Sequence, residues 1–370
     1  MDFEFLQPLS NQLIDDIQQM SSFSIGGQTS FHTKGAFPEL EGKAIAIISV
    51  DNPDKNYSNP DFDAIRKEFY ALYPGNWSKP MVDLGHIKSG DTPEDTYYLV
   101  KKITATLIKQ NILPIYIGAS QDITYAVYRA FDELEQQVSL VTIDSKIDVV
   151  ADYDTLSESF VARIILEEPN NLIKYANLGY QTYFNSQEEI DLIQRMQFNA
   201  YRLGEVIQDI KIAEPIMRDA DIVSLDMQSI QSIYLGNANQ PNGFDGREIC
   251  SLARYAGFSD SLKTFGIFNI EKKNKNHLLL SQIIWYFIEG FNYRLSEYPF
   301  SSKEDYYKYV VPLVEQELIF YKSNVSERWW IATKDHQNKE KLHPCHYTDY
   351  QTALTNEVPD IWWRINQQLT

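Results

Sequence analysis

Residues 113–148, LPIYIGASQDITYAVYRAFDELEQQVSLVTIDSKID, decide the fold. Leu113–Ile117 is a short apolar run that stops at Gly118. Asp122–Glu135 then shows helical spacing, and Val138–Ile143 is a second apolar run that stops at Asp144. Neither apolar run alternates with polar residues, so each reads as a strand buried on both faces. Two such strands joined by a helix predict a parallel crossover.

The same unit repeats in both directions. On the N-terminal side, Lys43–Val50 reads as a strand ending in Asp51, Asp61–Leu72 as a helix and Pro80–Leu84 as a short apolar run. Thr92-Pro93-Glu94 opens a helix that runs to about Gln110, with Thr92 as cap, Pro93 in the first turn and Asp95 at the third position. On the C-terminal side, Ser157–Glu167 reads as a helix, Leu172–Leu178 as a strand and Gly204–Ile212 as a helix. Ala220–Leu225 is a strand ending in Asp226, Gly246–Ala256 a helix and Leu262–Phe268 a strand. Seven or eight such units predict one large α/β domain: a mostly parallel sheet with helices on both faces, in three layers.

The pattern changes after Lys272. Asn276–Tyr293 reads as one long helix, and Ser301-Ser302-Lys303-Glu304 as the cap of another running to about Tyr321. Trp329-Trp330-Ile331, a polar stretch over 334–341 and a segment with Trp362-Trp363 follow. The expectation is an α/β domain over residues 1–299 and a helical, aromatic C-terminal appendage over 300–370, packed on it. No internal repeat or low-complexity tract is visible.

Composition narrows the function classes. Fifty-one acidic residues against 33 Lys and Arg leave a net charge of −18, which disfavours nucleic acid as a partner. The N-terminus MDFEFLQPLSNQLIDDIQQM lacks the apolar core of a signal peptide. The longest apolar piece, 277–291, is interrupted by Ser281, Gln282 and Glu289, so it predicts a buried helix rather than membrane insertion. Cys250 and Cys345 read either as one bridge or as two reduced thiols. A cytoplasmic protein is expected.

Ligands of open parallel sheets bind beyond the carboxyl ends of the strands. The residues at those ends are Gly118–Asp122, Asp144–Asp148, Asp226–Gln228 and Asn269. Asp144, Asp148 and Asp226 are expected to converge there. Carboxylates brought together need a metal ion, a lysine such as Lys146 or raised pKa values. Strand-end aspartates also serve structurally, accepting backbone N–H bonds or capping the next helix.

The same residues carry a family resemblance. The chain resembles the ureohydrolase superfamily of arginase, agmatinase and formimidoylglutamase over roughly residues 40–295, with formimidoylglutamase the nearest branch. Gly118-Ala119-Ser120-Gln121-Asp122 stands at the family's Gly-Gly-[Asp/Gly]-His motif. Asp144-Ser145-Lys146-Ile147-Asp148 stands at Asp-Ala-His-x-Asp, and Ser224-Leu225-Asp226-Met227-Gln228 at Ser-x-Asp-x-Asp. Gly243–Glu248 matches the glycine-rich turn with Arg-Glu, and Phe265–Asn269 the late strand that ends in a substrate-site glutamate. The resemblance implies a site for two Mn²⁺ ions whose bridging hydroxide attacks a guanidine or formimino carbon.

Carried over residue by residue, the six metal ligands fall on Gln121, Asp144, Lys146, Asp148, Asp226 and Gln228. Three keep the required type. Both histidines are replaced, by Gln121 and Lys146, one aspartate is Gln228, and the substrate glutamate is Asn269, with Glu271 two residues on. Tyr175–Gln181, where arginase-like enzymes place a further histidine, has none. Manganese favours carboxylate and imidazole donors. Lys146 instead places a positive charge where a cation would sit, and reads as a salt-bridging substitute for the metal. A two-metal cluster is not expected. If one ion binds, Asp144, Asp148 and Asp226 are its ligands.

Other features are weaker. His336, His343, Cys345 and His346 match no closed zinc pattern and read as surface polar residues. His32 and His86 read as core or loop residues, and Gly26-Gly27 lacks the rest of a phosphate loop. Trp329, Trp330, Trp362 and Trp363 either tie the appendage to the main domain or contact a protein partner or a second copy. The expectation is a non-catalytic member of the family, a pseudoenzyme acting as a scaffold, regulatory or assembly subunit without cofactor. The alternative is an altered hydrolase of non-peptide carbon–nitrogen bonds using Mn²⁺, on substrates such as formiminoglutamate.

Overall fold

The computed structural model of the chain describes residues 3–149, 159–235, 240–272, 276–297, 305–314, 316–334 and 339–369. Nine strands form one fully parallel sheet. They are β1 (Ser30–Phe31), β2 (Ile45–Val50), β3 (Met81–Ile87), β4 (Leu113–Gly118), β5 (Val138–Ile143), β6 (Leu172–Tyr180), β7 (Asn199–Arg202), β8 (Ile222–Asp226) and β9 (Thr264–Phe268). Their spatial order is β1-β3-β2-β4-β9-β8-β5-β6-β7.

Side chains alternate between the two faces, as a strand's two-residue period requires. Ile45, Ile47, Ile115, Ile117, Val141 and Ile143 face one core, which helices Phe62–Ala71, Gly246–Phe258 and His277–Asn292 complete. Ala46, Ile48, Val50, Tyr116 and Leu140 face the other, covered by helices Pro93–Lys109, Ile123–Arg129 and Phe160–Leu166. This is the expected three-layer arrangement. Thr92 and Asp95 form the expected capping box. The helix expected over Asp122–Glu135 is an α-helix only to Arg129, continuing as a 3₁₀ turn over Ala130–Leu134.

The appendage corrects one expectation. In place of a helix running to Tyr321 there is an antiparallel hairpin of β10 (Tyr306–Pro312) and β11 (Glu317–Ser323). The cap expected at 301–304 lies outside the described residues. Tyr306–Val311 is dominated by aromatic and β-branched residues, and Pro312 would break a helix there. β12 (Trp329–Lys334) and β13 (Glu340–Cys345) complete a four-stranded antiparallel sheet, β10-β11-β12-β13. Helices Tyr347–Leu354 and Asp360–Leu369 follow it and supply the helical part expected of the appendage, and Ala353 and Ile365 join the sheet's own core of Val311, Phe320, Trp329 and Ile331.

Arg218 ties the two parts together. Its Nη1 donates to the Trp329 carbonyl at 2.8 Å, and its guanidinium lies 4.6 Å from the centre of the Trp330 ring. Arg328 reaches back from the appendage to Glu214 at 3.0 Å. Trp329 and Trp330 are therefore buried cement, whereas Trp363 is 53% exposed. Cys250 and Cys345 are both buried free thiols. Among the described residues no helix is long and apolar enough to cross a membrane.

Candidate functional site

β4, β9, β8 and β5 are neighbours at the centre of the sheet, so their carboxyl ends open onto one crevice. This brings Gln121, Asn269, Asp226 and Asp144 together although they span 149 positions of sequence, counted from 121 to 269. Gly118 closes β4 because a Cβ there would lie 2.6 Å from the Phe268 ring at the end of β9. Asn269 and Asp148 both adopt left-handed backbone, at φ 54° and 57°. Asn and Asp tolerate this region better than most residues do.

The crevice is a closed network of hydrogen bonds. The Gln121 N–H donates to Asn269 Oδ1 at 3.1 Å, and Asn269 Nδ2 donates to Asp226 Oδ2 at 3.0 Å. The Gln228 N–H donates to Asp226 Oδ1 at 2.7 Å, so both Asp226 oxygens are engaged. The Lys146 N–H donates to Asp144 Oδ1 at 2.9 Å. The Gln121 amide hydrogen-bonds Asp144 and lies 3.4 Å from the Ser224 hydroxyl, which in turn meets Thr124 at 2.7 Å. These three neutral side chains are all buried.

Burial governs the charges. Asp144 is fully buried, and desolvation together with Asp226 and Asp148 pushes its carboxyl well above the usual carboxylate range. Burial also pushes Asp226 up, to about 6, against the opposing pull of the Gln228 N–H, Asn269, the Lys146 charge and Asp144. The two carboxyls are hydrogen-bonded to each other, and burial raises both. The Lys146 charge acts on Asp226, while burial, Asp226 and Asp148 dominate Asp144.

The remaining predicted positions are placed as follows. Asp148 is buried, and its carbonyl accepts the Ala162 N–H at 3.1 Å. Lys146 is half-buried, while the Gln228 side chain is turned to solvent and only its backbone serves Asp226. Sequence reasoning missed Thr124 and Thr142, and it quoted Ser224, Tyr175 and Asn177 within motifs without giving them a role in the crevice. Asn177 is fully buried in β6 and donates to the Lys146 carbonyl at 2.8 Å and to Thr142 at 3.2 Å. A polar residue inside the apolar run 172–178 was the available signal.

These donors do not suit a manganese centre. Among the described residues no group of three His, Cys, Asp or Glu side chains is arranged to hold a metal ion. The Gln121 side-chain amide and both Asp226 oxygens hydrogen-bond protein partners, and the Gln228 side chain is exposed. The crevice is lined by buried polar groups that hydrogen-bond one another.

Two other clusters have structural roles. Asp51 Oδ1 lies 3.0 Å from His86 Nε2, and His86 Nδ1 lies 2.8 Å from Ser49 Oγ, an order that resembles a hydrolase triad. Ser49 is fully buried, however, and accepts Arg66 Nη1 at 2.9 Å. Its hydroxyl is not available for attack. Arg66 is itself buried and paired with Asp83 at 2.7 Å. In the appendage, half-buried His343 bonds Thr333 at 2.9 Å and half-buried His346 bonds Thr348 at 2.9 Å, while Cys345 is buried rather than at the surface. His336 lies outside the described residues.

Comparison with known proteins agrees with this architecture. The family model described as "Arginase family" matches residues 62–265. The formimidoylglutamase of Staphylococcus haemolyticus is 21% identical over 265 residues, 67% of this chain and 85% of that protein. The crystal structure of Trypanosoma cruzi formiminoglutamase with Mn²⁺ superposes with a TM-score of 0.59 at 16% identity, covering 70% of this chain and 97% of that one. For the formimidoylglutamase of Bacillus subtilis the TM-score is 0.61 at 15% identity, covering 70% and 91%. For the agmatine ureohydrolase of Thermoplasma volcanium it is 0.55 at 16% identity, covering 76% and 97%. At these identities the solved structures share the fold.

Proposed function

The chain belongs to the arginase family, and we propose that within it the chain is a non-catalytic member that works as a scaffold, regulatory or assembly subunit. One observation carries this reading. Both Asp226 oxygens accept protein hydrogen bonds, from Asn269 and from the Gln228 N–H, at the strand end where the resemblance puts metal ligands. Gln121, Lys146 and Gln228 replace three of the six metal donors by groups that manganese binds poorly. The vestigial site is then Gln121, Asp144, Lys146, Asp148, Asp226, Gln228 and Asn269, and no cofactor is required. The work is done through the surface, with the α/β part ending near residue 299 and the appendage over 300–370 as the distinctive element. Two separate buried thiols suit a cytoplasmic setting.

The test is turnover. Purified protein incubated with Mn²⁺ and with formiminoglutamate, arginine or agmatine is expected to release no formamide or urea above a protein-free control. Turnover that disappears in Asp144→Ala would overturn the reading.

One observation favours the alternative. The match to the staphylococcal formimidoylglutamase spans 85% of that protein, and Asp144, Asp148 and Asp226 are kept. An altered hydrolase of formimino or guanidino compounds would need those three carboxylates, and the same assay distinguishes the two.

A further inference from the structure

Three of the four sheet edges are very short or covered by a helix, which protects them against edge-to-edge pairing. β1 is two residues long. β7 is four residues long, and Arg364 of the last helix reaches its Tyr201 hydroxyl at 2.7 Å. β13 contains Pro344 and packs against helix Ala213–Arg218. The fourth edge, β10, has seven residues and pairs only with β11 among the described residues.

The register shows which groups of β10 face outward. At one end the Leu313 N–H donates to the Gln316 carbonyl, and at the other the Asn324 N–H donates to the Asp305 carbonyl. With Tyr309 opposite Phe320 and Val311 opposite Leu318, the odd-numbered residues exchange bonds with β11. Lys308 and Val310 therefore direct their N–H and C=O groups away from it. Tyr307 and Val310 are 59% and 51% exposed. Lys308 is the one charge of the strand, and its one proline, Pro312, sits at the end.

This edge is complementary to itself. A two-fold axis normal to the sheet at Tyr309 keeps the two faces in line and opposes residues 306–312 to 312–306 of a second copy. Lys308 then faces the uncharged Val310, while Tyr307 faces Val311 and the two Tyr309 rings lie side by side, the latter two being favourable cross-strand pairs. The N–H that Pro312 lacks falls at the frayed end. Centring the axis on Lys308 instead would set two lysines opposite each other, which is disfavoured. The register that uses the whole strand is also the one that separates the charges.

We propose that two copies of this chain join through β10, pairing antiparallel about Tyr309 into one sheet with four strands from each copy. The proposal does not rest on the reading of the crevice.

The test is the mass in solution by light scattering, from about 1 to 100 µM. Wild type is expected at twice 42.9 kDa in the upper part of that range. The Lys308 and Val310 amides should be protected from hydrogen exchange when concentrated and lose that protection on dilution. Val310→Pro removes an outward donor without touching the β11 ladder, and Val310→Lys sets a second ammonium against Lys308 of the other copy. Each should weaken the dimer at least about tenfold. If the proline variant misfolds, the lysine variant decides. A wild-type monomer throughout, an assembly other than a dimer, or a dimer unchanged in Val310→Lys would overturn the proposal. Binding of an unrelated extended peptide to a monomeric chain would do the same.

Discussion

Asn269 donates its side-chain amide to Asp226 at 3.0 Å, across the seam between β9 and β8. The neighbouring contact runs the other way, since Asn269 Oδ1 accepts the Gln121 N–H at 3.1 Å. One neutral amide therefore joins three strand ends. A glutamate in its place could accept from Gln121 but could not donate to Asp226.

Replacing that amide should be felt in stability. Asn269→Ala leaves Asp226 Oδ2 and the Gln121 N–H without partners at a buried position. A loss of about 1–3 kcal/mol is expected in denaturant unfolding. Asn269→Glu should cost more, because a second carboxylate then faces Asp226. A glutamate variant as stable as wild type would show that Asp226 does not depend on the donor.

The Arg66–Asp83 pair is the second test of buried polarity. Arg66 donates from Nε and Nη2 to the two Asp83 oxygens at 2.7 and 3.1 Å, and from Nη2 to the Gly85 carbonyl at 2.7 Å. Arg66→Met strands a buried carboxylate, and a loss of about 3–5 kcal/mol is expected. A shift below about 1 kcal/mol would mean that the site relaxes or admits water.

Arg328 holds the appendage in place. Besides Glu214 it approaches Asp260 at 3.7 Å and Glu297 at 3.9 Å, and it donates to the Phe258 carbonyl at 3.3 Å. Arg328→Ala leaves this carboxylate cluster without its central cation. Tryptophan emission should shift red at lower denaturant than the loss of helical signal, as the Trp329–Trp330 seam opens first. Coincident transitions, as in wild type, would contradict this.

His343 gives a pH signature. Burial, with Lys174 and Lys341 adding to it, lowers its pKa from the ordinary 6.5 to about 4. The folded state holds this histidine neutral while the unfolded chain protonates it below 6.5. Its contribution to stability is complete above pH 6.5 and is lost as pH falls toward 4, by on the order of 1 kcal/mol per pH unit. His343→Gln should show a shallower loss over that window. Identical pH profiles would refute the assignment.

The central strands were legible because each is a short, mostly apolar run that stops at Gly118, Asp144 or Asp226. The partners within the crevice were not. β9 is the last strand of the parallel sheet in sequence yet lies between β4 and β8, so nothing local announces that Asn269 meets both Gln121 and Asp226. The hairpin over 306–323 resembles a helix in sequence because a capping pattern upstream outweighs the strand composition of Tyr306–Val311 and the break at Pro312. Whether the tryptophans are cement or contacts depended on Arg218, more than 100 residues upstream of Trp329 in the chain.

Manganese content tests the account of the crevice most directly. The protein is incubated with excess Mn²⁺, desalted and measured by mass spectrometry. Less than about 0.1 ion per chain is predicted, because the donors are amides, an ammonium and carboxylates already engaged. Two ions per chain, lost in Asp226→Ala, would contradict it.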